Sequence, residues 1–471
     1  MSILSHLSNN IYLDSISKIF DHFLKKLSEP HFQLHSLDNY VELIENTAQI
    51  THEIGRTMLV NALEKMDLEY KNSNIRKQYY HVKVTRERTL ITVFGQISFK
   101  RTIYEDKATG KSYTYLDRKL GLPKYDRYDP TVKAMIVELY SNQNSMIKVG
   151  EIIGSKIFSP FTTSNARHNH RISRQTVHNI VSKVPTVKQG FHRRLRTPKV
   201  LYIMADEKYV VLQSNKNKKS SQMLKHAVIF EGVENINKRG KLINKINIAS
   251  TEPEFWEKAY NTMSSIYDLD EVRQIYILGD GALWIKKGVE IFGHDKASFA
   301  LDKFHFKQAI HHIDQNDSIK NILTSHILLG KRSDFKMIID VIKTRENNRE
   351  RHKIIEEKAK YILNQWIPIR KAYKEVKVGC SMESAISHNL ASIYTSRPKA
   401  YKPVHLEKYL HTRMQYLNGI DIQNHYLKTQ HLSSNAVYEP LDQETFDYSI
   451  FEPKAASDHS ISRWFREFTI F

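Results

Sequence analysis

Val200-Leu201-Tyr202-Ile203-Met204-Ala205-Asp206 and Ile275-Tyr276-Ile277-Leu278-Gly279-Asp280 are the two stretches that decide the fold. Each is a short apolar run, rich in β-branched and aromatic residues, that ends in an aspartate. Such runs read as buried strands that deliver an acid where they emerge. Working outward, strands are expected at 199–205, 208–213, 226–232, 242–249, 274–279 and 297–301, with a helix from Glu254 to Tyr267 between the fourth and fifth. Three strands in close succession predict an antiparallel meander, and the helix then leads into the strand ending at Asp280. The class is α/β with a mixed sheet. Residues 306–380 are almost wholly helical in pattern and strongly charged, as an insertion within that α/β domain would be. From Glu383 the pattern is helical through Tyr394, until Ser396-Arg397-Pro398 breaks it.

Upstream the period changes twice. Leu13, Ile16, Phe20, Phe23, Leu24 and Leu27 recur at helical spacing, and Asn39 to Tyr70 is similar. His81 to Tyr104 reads as a β-hairpin with Gly95 at its turn and an exposed side carrying Arg86, Arg88, Lys100 and Arg101. Asp129 to Val184 is helical again and closes on Arg171-Ile172-Ser173-Arg174-Gln175-Thr176-Val177, where a serine cap opens either a helix-turn-helix recognition helix or an ordinary amphipathic one. The basic linker 188–199, with Arg193, Arg194 and Arg196, marks the main boundary. The expected segments are 1–75 (helical), 76–187 (hairpin and helix-turn-helix), 199–305 (first part of the α/β core), 306–380 (insertion), 381–425 (second part) and 426–471 (tail, with Trp464 and Phe465 against the body).

Lysine and arginine number 71 against 51 acids, a net charge of +20. A surplus of this size favours a polyanion partner, through phosphate neutralisation and counterion release. One cysteine, Cys380, excludes an intrachain disulfide framework and a thiolate-rich zinc site, and suits a reducing cytosol. No apolar run is long enough to span a bilayer, and the N-terminus lacks the blocks of a signal peptide, so a soluble intracellular protein is expected.

Singly, each acid has a structural explanation. Asp206 suits a turn, Asp280 a strand-to-helix cap, and Glu383 a first helical turn favoured by the dipole. Together they suit another role. Asp206, Asp280 and Glu383 lie 74 and 103 residues apart, at strand and helix ends that can converge on a pair of hard divalent ions. Mg2+ or Mn2+, two per site, needs no histidine or cysteine. Leu301-Asp302-Lys303-Phe304-His305 follows the last strand, and Asp302 and His305 are expected behind the carboxylates or against DNA. His388 and Arg397, near Glu383, are weaker candidates for contact with the site.

Gly279-Asp280-Gly281-Ala282-Leu283-Trp284-Ile285-Lys286, Leu301-Asp302-Lys303-Phe304-His305 and Glu383…Ser387-His388…Ser396-Arg397-Pro398 occur here in order after Ala205-Asp206-Glu207. Phe94-Gly95, Leu116-Asp117…Leu120-Gly121-Leu122 and Ser173-Arg174-Gln175-Thr176-Val177 precede them. Together these strings resemble the DDE transposases of bacterial insertion sequences. The nearest likeness is the ISLre-type family, formerly an uncharacterised family related to the Mutator-like group. The resemblance covers roughly residues 80 to 420. It implies an RNase H-like catalytic domain with a helical insertion and a metal-binding triad of Asp206, Asp280 and Glu383. It also implies cleavage of the element's terminal inverted repeats and transfer of the freed 3′-hydroxyl to target DNA, in a cytoplasmic, nucleoid-associated dimer or higher oligomer. Lys208 departs from the family pattern, which has an acid there. The alternatives are a DNA-binding protein without catalysis on the same fold, and a nuclease that cuts without joining.

Overall fold

Among the described residues each unit of the chain carries one main sheet, with alternating residues in the hairpin of the first and buried apolar runs in the second, beside a separate two-strand hairpin. The structure, a computed structural model, describes residues 37–143, 145–158, 171–185, 196–213, 220–236, 239–379, 382–396 and 399–435, with positions 17, 18, 21 and 25. One unit takes Met1–Ile136, Ile147–Val177 and Gln423–Phe471; the other takes Val137–Met146 and His178–Ile422. The expected helix over 13–27 apart from positions 17, 18, 21 and 25, together with Arg193, Arg194, Cys380, Arg397 and the tail beyond 435, lies outside the described residues.

In the first unit, helix α1 (Leu37–Asn72) packs on a hairpin of β1 (Tyr80–Thr92) and β2 (Gly95–Asp106). A two-strand pairing of β3 (Ser112–Tyr113) with β2 extends the sheet. Leu63, Leu90, Ile97, Phe99, Leu116 and Leu122 form its core. The hairpin is the expected one, and Gly95, at φ +104°, turns it in a conformation that favours glycine. Its basic face needs a correction. Arg88 falls in the same inward row as Leu90 and Thr92, so the pleat buries it. There it donates to Asp117 (2.9 Å) and to the carbonyls of Pro123 (3.0 Å) and Asp126 (2.9 Å). Arg101 pairs with the same Asp117. Arg86 and Lys100 are exposed. Farther along, α2 (Met146–Phe158) precedes α3 (Arg174–Val181), whose Ser173 hydroxyl accepts from the Thr176 N–H at 3.1 Å, the expected cap. Gly150 on α2 receives the Ile172 carbonyl so closely that an added Cβ would stand 2.1 Å from it.

The second unit is built on a mixed sheet in the order β10-β9-β4-β5-β8. Its strands are β4 (Val200–Leu212), β5 (Ser220–Phe230), β8 (Ile246–Ser250), β9 (Gln274–Gly279) and β10 (Ala297–Leu301). The expected meander is β4-β5-β8, antiparallel throughout; β9 and β10 then run parallel to β4. A small hairpin of β6 (Gly232–Ile236) and β7 (Arg239–Ile243) stands between β5 and β8, and the strands expected at 226–232 and 242–249 reach it only at Gly232, Leu242 and Ile243. The strands expected at 199–205 and 208–213 are one strand, so Asp206 is not at a strand end. It lies where β4 loses its β9 neighbour, after the pair Met204–Leu278, while pairing with β5 continues. Helix α4 (Phe255–Ile266) falls where expected, and α5 (Leu283–Phe292) links β9 to β10.

The insertion is helical, as expected: α6 (Lys303–Ile313), α7 (Asp317–Leu329), α8 (Arg332–Arg345), α9 (Arg349–Asn364) and α10 (Trp366–Lys374). Leu323, Ile327, Phe335, Ile339, Ile355, Ile362, Trp366 and Ile369 join Leu201, Ile203, Ala205, Ile275 and Ile277 in a single buried cluster. The insertion is therefore one wall of the sheet's own core. On β4, the odd-numbered residues 201–205 face that wall, so Tyr202, Met204 and Asp206 point to the opposite face. Helices α11 (Met382–Ile386), α12 (Pro403–Leu417) and α13 (Ile422–Asn435) follow, with β11 (Ala400–Tyr401) pairing β4. Helix α13 continues across the boundary expected at 425/426.

Candidate active site

Register sets the site. The last β4–β9 pair is Met204–Leu278 and the last β9–β10 pair is Leu301–Gly279. One or two residues on, three parallel strands deliver Asp206, Asp280 and Asp302 to the same end of the sheet. Each carboxylate is oriented by a local donor. The Glu207 N–H reaches Asp206 Oδ1 at 2.8 Å, the Ala282 N–H reaches Asp280 Oδ1 at 2.9 Å, and the Phe304 N–H reaches Asp302 Oδ1 at 3.0 Å. The Asp302 N–H donates to the Gly279 carbonyl at 2.9 Å and ties the last two strand ends together.

Electrostatics distinguish Asp206 from an ordinary turn residue. Burial pushes its carboxyl up to about 6, and the charges of Asp280 and Glu207 add to the rise. The Glu207 N–H and the nearby His305 oppose it. His305 thus sits within electrostatic reach of Asp206. Burial also raises Glu207, with Asp280 contributing, although the Trp284 indole N–H donates to Glu207 Oε2 at 2.6 Å. A cluster in which one carboxylate's charge opposes ionisation of the next is one that a cation stabilises.

The insertion supplies parts of the site that sequence reading missed. The Tyr361 hydroxyl donates to the Asp280 carbonyl at 2.7 Å, and burial, then Asp280 and Asp302, raise its phenol. Gly281, at φ +97°, has the Gln365 amide so near that an added Cβ would lie 2.4 Å from Nε2. Trp284 was visible in its motif and Glu207 beside Asp206. Tyr361 lies on plain amphipathic helix and Gln365 at the junction of α9 and α10, with no local signal. His226, directly opposite Asp206 in the β4–β5 ladder, is fully buried.

Glu383 stands differently. It is exposed on α11, a helix that packs against β4 and β5. Among the described residues, no three of His, Cys, Asp and Glu are close enough together to hold an ion, so the structure gathers Asp206 and Asp280 but does not close a triad on Glu383. As donors, Asp206 and Asp280 fit a hard divalent ion: all oxygen, partly shielded, and repelling one another. His388 is exposed and lies within the π-helical turn, Ser387–Ala391, that interrupts the helix after Glu383. Of the expected DNA contacts, Arg86, Lys100, Arg171, Arg174, Gln175 and Arg196 are all on the exposed surface.

A fold with acids at one end of a mixed sheet defines a class of α/β proteins; the comparisons define the family. Residues 36–431 match the model of the uncharacterised protein family UPF0236, and the chain belongs to that family. The UPF0236 protein TTE2489 of Caldanaerobacter subterraneus subsp. tengcongensis is 31% identical over 396 residues, covering 82% of this chain and 80% of its own. A 30% identical relative from the same organism carries eleven locus labels in its name, from TTE0033 to TTE2212. A UPF0236 protein in the vanSb 3′ region of Streptococcus gallolyticus is 24% identical, over 76% of this chain and 78% of its own.

Proposed function

We propose that the chain is a DDE-type transposase with an RNase H-like core, cutting DNA at the ends of an insertion sequence and joining the freed 3′-hydroxyl to target DNA. The observation that carries this reading is the convergence of Asp206 and Asp280 on adjacent parallel strands, with Asp280's charge acting on the raised carboxyl of Asp206. A meander of three antiparallel strands continued by two parallel ones is the arrangement such a core calls for. The eleven locus labels of one relative are what a DNA segment that copies itself leaves in a genome. The charge of +20 suits a phosphodiester substrate.

Asp206 and Asp280 would hold Mg2+ or Mn2+, with Glu383 as the third expected ligand. Bound there, such ions lower the pKa of an attacking water and neutralise charge developing on both oxygens of an in-line displacement. The chain's own groups do the rest. Tyr361 and the Asp302 N–H hold the strand ends in register, and the cap hydrogen bonds fix the carboxylates. The Trp284 indole N–H holds the Glu207 carboxylate in place beside Asp206. Arg171 and Arg174, exposed at the N-terminus of α3, are suited to the terminal repeats. A second reading, a DNA-binding protein without catalysis, rests on the exposed Glu383.

The test is cleavage and joining of DNA bearing the ends of the encoding element, with Mg2+ or Mn2+, beside Asp206→Asn and Asp280→Asn. The proposal expects metal-dependent 3′ cuts and joined product, reduced about 100-fold or more in either variant, because a ligand matters at least as much as the groups that orient it. Binding without cutting would establish the second reading, and cuts without joined product would make the chain a nuclease.

A further inference from the structure

The helix that carries Glu383 does not continue as an α-helix. Residues Met382–Ile386 are α-helical, Ser387–Ala391 form a π-helical turn, and Ser392–Tyr394 close the segment. A π turn inserts one extra residue, so everything before it is rotated by about 100° relative to an uninterrupted helix. The direction in which Glu383 projects is therefore set by whether this turn holds.

Arg413 on α12 holds it. Only 6% of this residue is exposed. Its guanidinium donates from Nε to the Asn389 carbonyl (3.2 Å), from Nη2 to the His388 carbonyl (3.4 Å) and from Nη1 to the Ser141 carbonyl (3.2 Å). No acid among the described residues forms an ion pair with it. A buried guanidinium bonded to neutral carbonyls is costly, and hydrophobic packing would fill the space at lower cost. A second set of bonds fastens the same turn to the sheet. Asn389 Nδ2 donates to Asn247 Oδ1 at 3.1 Å, and Asn247 on β8 exchanges hydrogen bonds with Asn418 at the end of α12. Arg413 also opposes protonation of His226, the residue directly across from Asp206, so this clamp lies on the sheet face toward which Asp206 points.

We infer that Arg413 is a positioning residue. By pinning the π turn to α12, with Asn389 pinning it to β8, it fixes the direction in which Glu383 projects from α11. This inference rests on the proposed function, because it matters only if Glu383 is a ligand.

The experiment compares the full chain with Arg413→Lys, Asn389→Ala and Glu383→Gln. Lysine keeps the charge but cannot span three carbonyls. Three quantities are read: Mn2+ affinity by electron paramagnetic resonance, amide exchange over 382–394 in metal-free protein, and the Mg2+ concentration for half-maximal cleavage. The inference expects faster exchange confined to 382–394, and Mn2+ affinity lowered about 10- to 100-fold, the range for groups that orient a ligand. It also expects cleavage that recovers at high Mg2+. Should Arg413→Lys fail to fold, Asn389→Ala, at a half-buried position, carries the same expectations. Unchanged Mn2+ affinity in Arg413→Lys and Asn389→Ala, with Glu383→Gln weakened, overturns the positioning role alone. Unchanged affinity in Glu383→Gln removes Glu383 from the site and overturns the positioning role with it, while metal-dependent cleavage by the unaltered chain decides the proposed function separately.

Discussion

His226 is the residue with the plainest energetic consequence. Fully buried, with Asn247 as its polar neighbour and Arg413's charge opposing a second cation, its imidazole is pushed down to about 4. A depressed folded-state value means that the unfolded chain binds the proton first. Stability is then full above about pH 6.5 and falls as the pH drops through 6.5 toward 4, by about 3 kcal/mol for this group. Urea unfolding of the protein and of His226→Leu across that window should show the wild-type acid limb and its reduction in the variant; parallel curves would remove the assignment. Gly281 makes a second residue-scale prediction. Gly281→Ala forces a side chain into a positive-φ conformation against Gln365, a strain of about 1–3 kcal/mol. Its melting temperature should fall, and a mutant as stable as the parent would show that Gln365 yields freely. At this scale the sequence was informative about Asp206 and Asp280, because an acid after an apolar run is a local pattern. It was silent on Tyr361 and Gln365, whose role comes from packing across some 80 residues of chain.

Among elements, strands were the most legible and faces the least. All six expected strands overlap sheet strands, two of them the single strand β4, because β-branched runs bounded by turns leave little choice. The break expected near Asp206 was wrong because polar residues after 205 looked like a turn, whereas pairing with β5 carries the strand through them. Arg88 was misplaced on the outer face of the hairpin because a guanidinium reads as surface, while Asp117, the partner that permits its burial, comes from a distant turn of helix. The contact of α2 with the segment before α3 is testable. An alanine at Gly150 would place its Cβ 2.1 Å from the Ile172 carbonyl, backbone that cannot swing aside. Gly150→Ala should therefore cost about 1–3 kcal/mol by overpacking and weaken binding to the terminal repeats. Full binding with unchanged melting would separate α3 from DNA recognition.

At the scale of the molecule, charge gives the simplest expectation. If DNA is the partner, log affinity falls linearly with log salt, and each phosphate contact contributes about 0.9 to the slope. Arg174→Ala should lower that slope by about 1, whereas Arg88→Ala, with its side chain committed to Asp117, should lower stability and leave the slope unchanged. Equal slopes for the parent and Arg174→Ala would take α3 off the phosphate backbone.

Because the insertion walls the same core as the strands, order of synthesis matters. When Leu301 leaves the ribosome all five strands of the main path exist, yet Leu201, Ile203, Ile275 and Ile277 still lack Phe335, Ile362 and Ile369 to cover them. About seventy more residues must emerge first, a delay on the order of 4–14 seconds at bacterial rates of translation. For that interval the nascent sheet is a sticky, half-built surface. A premature stop after Leu301 would leave a chain that clumps, and chaperones would be the first partners it meets.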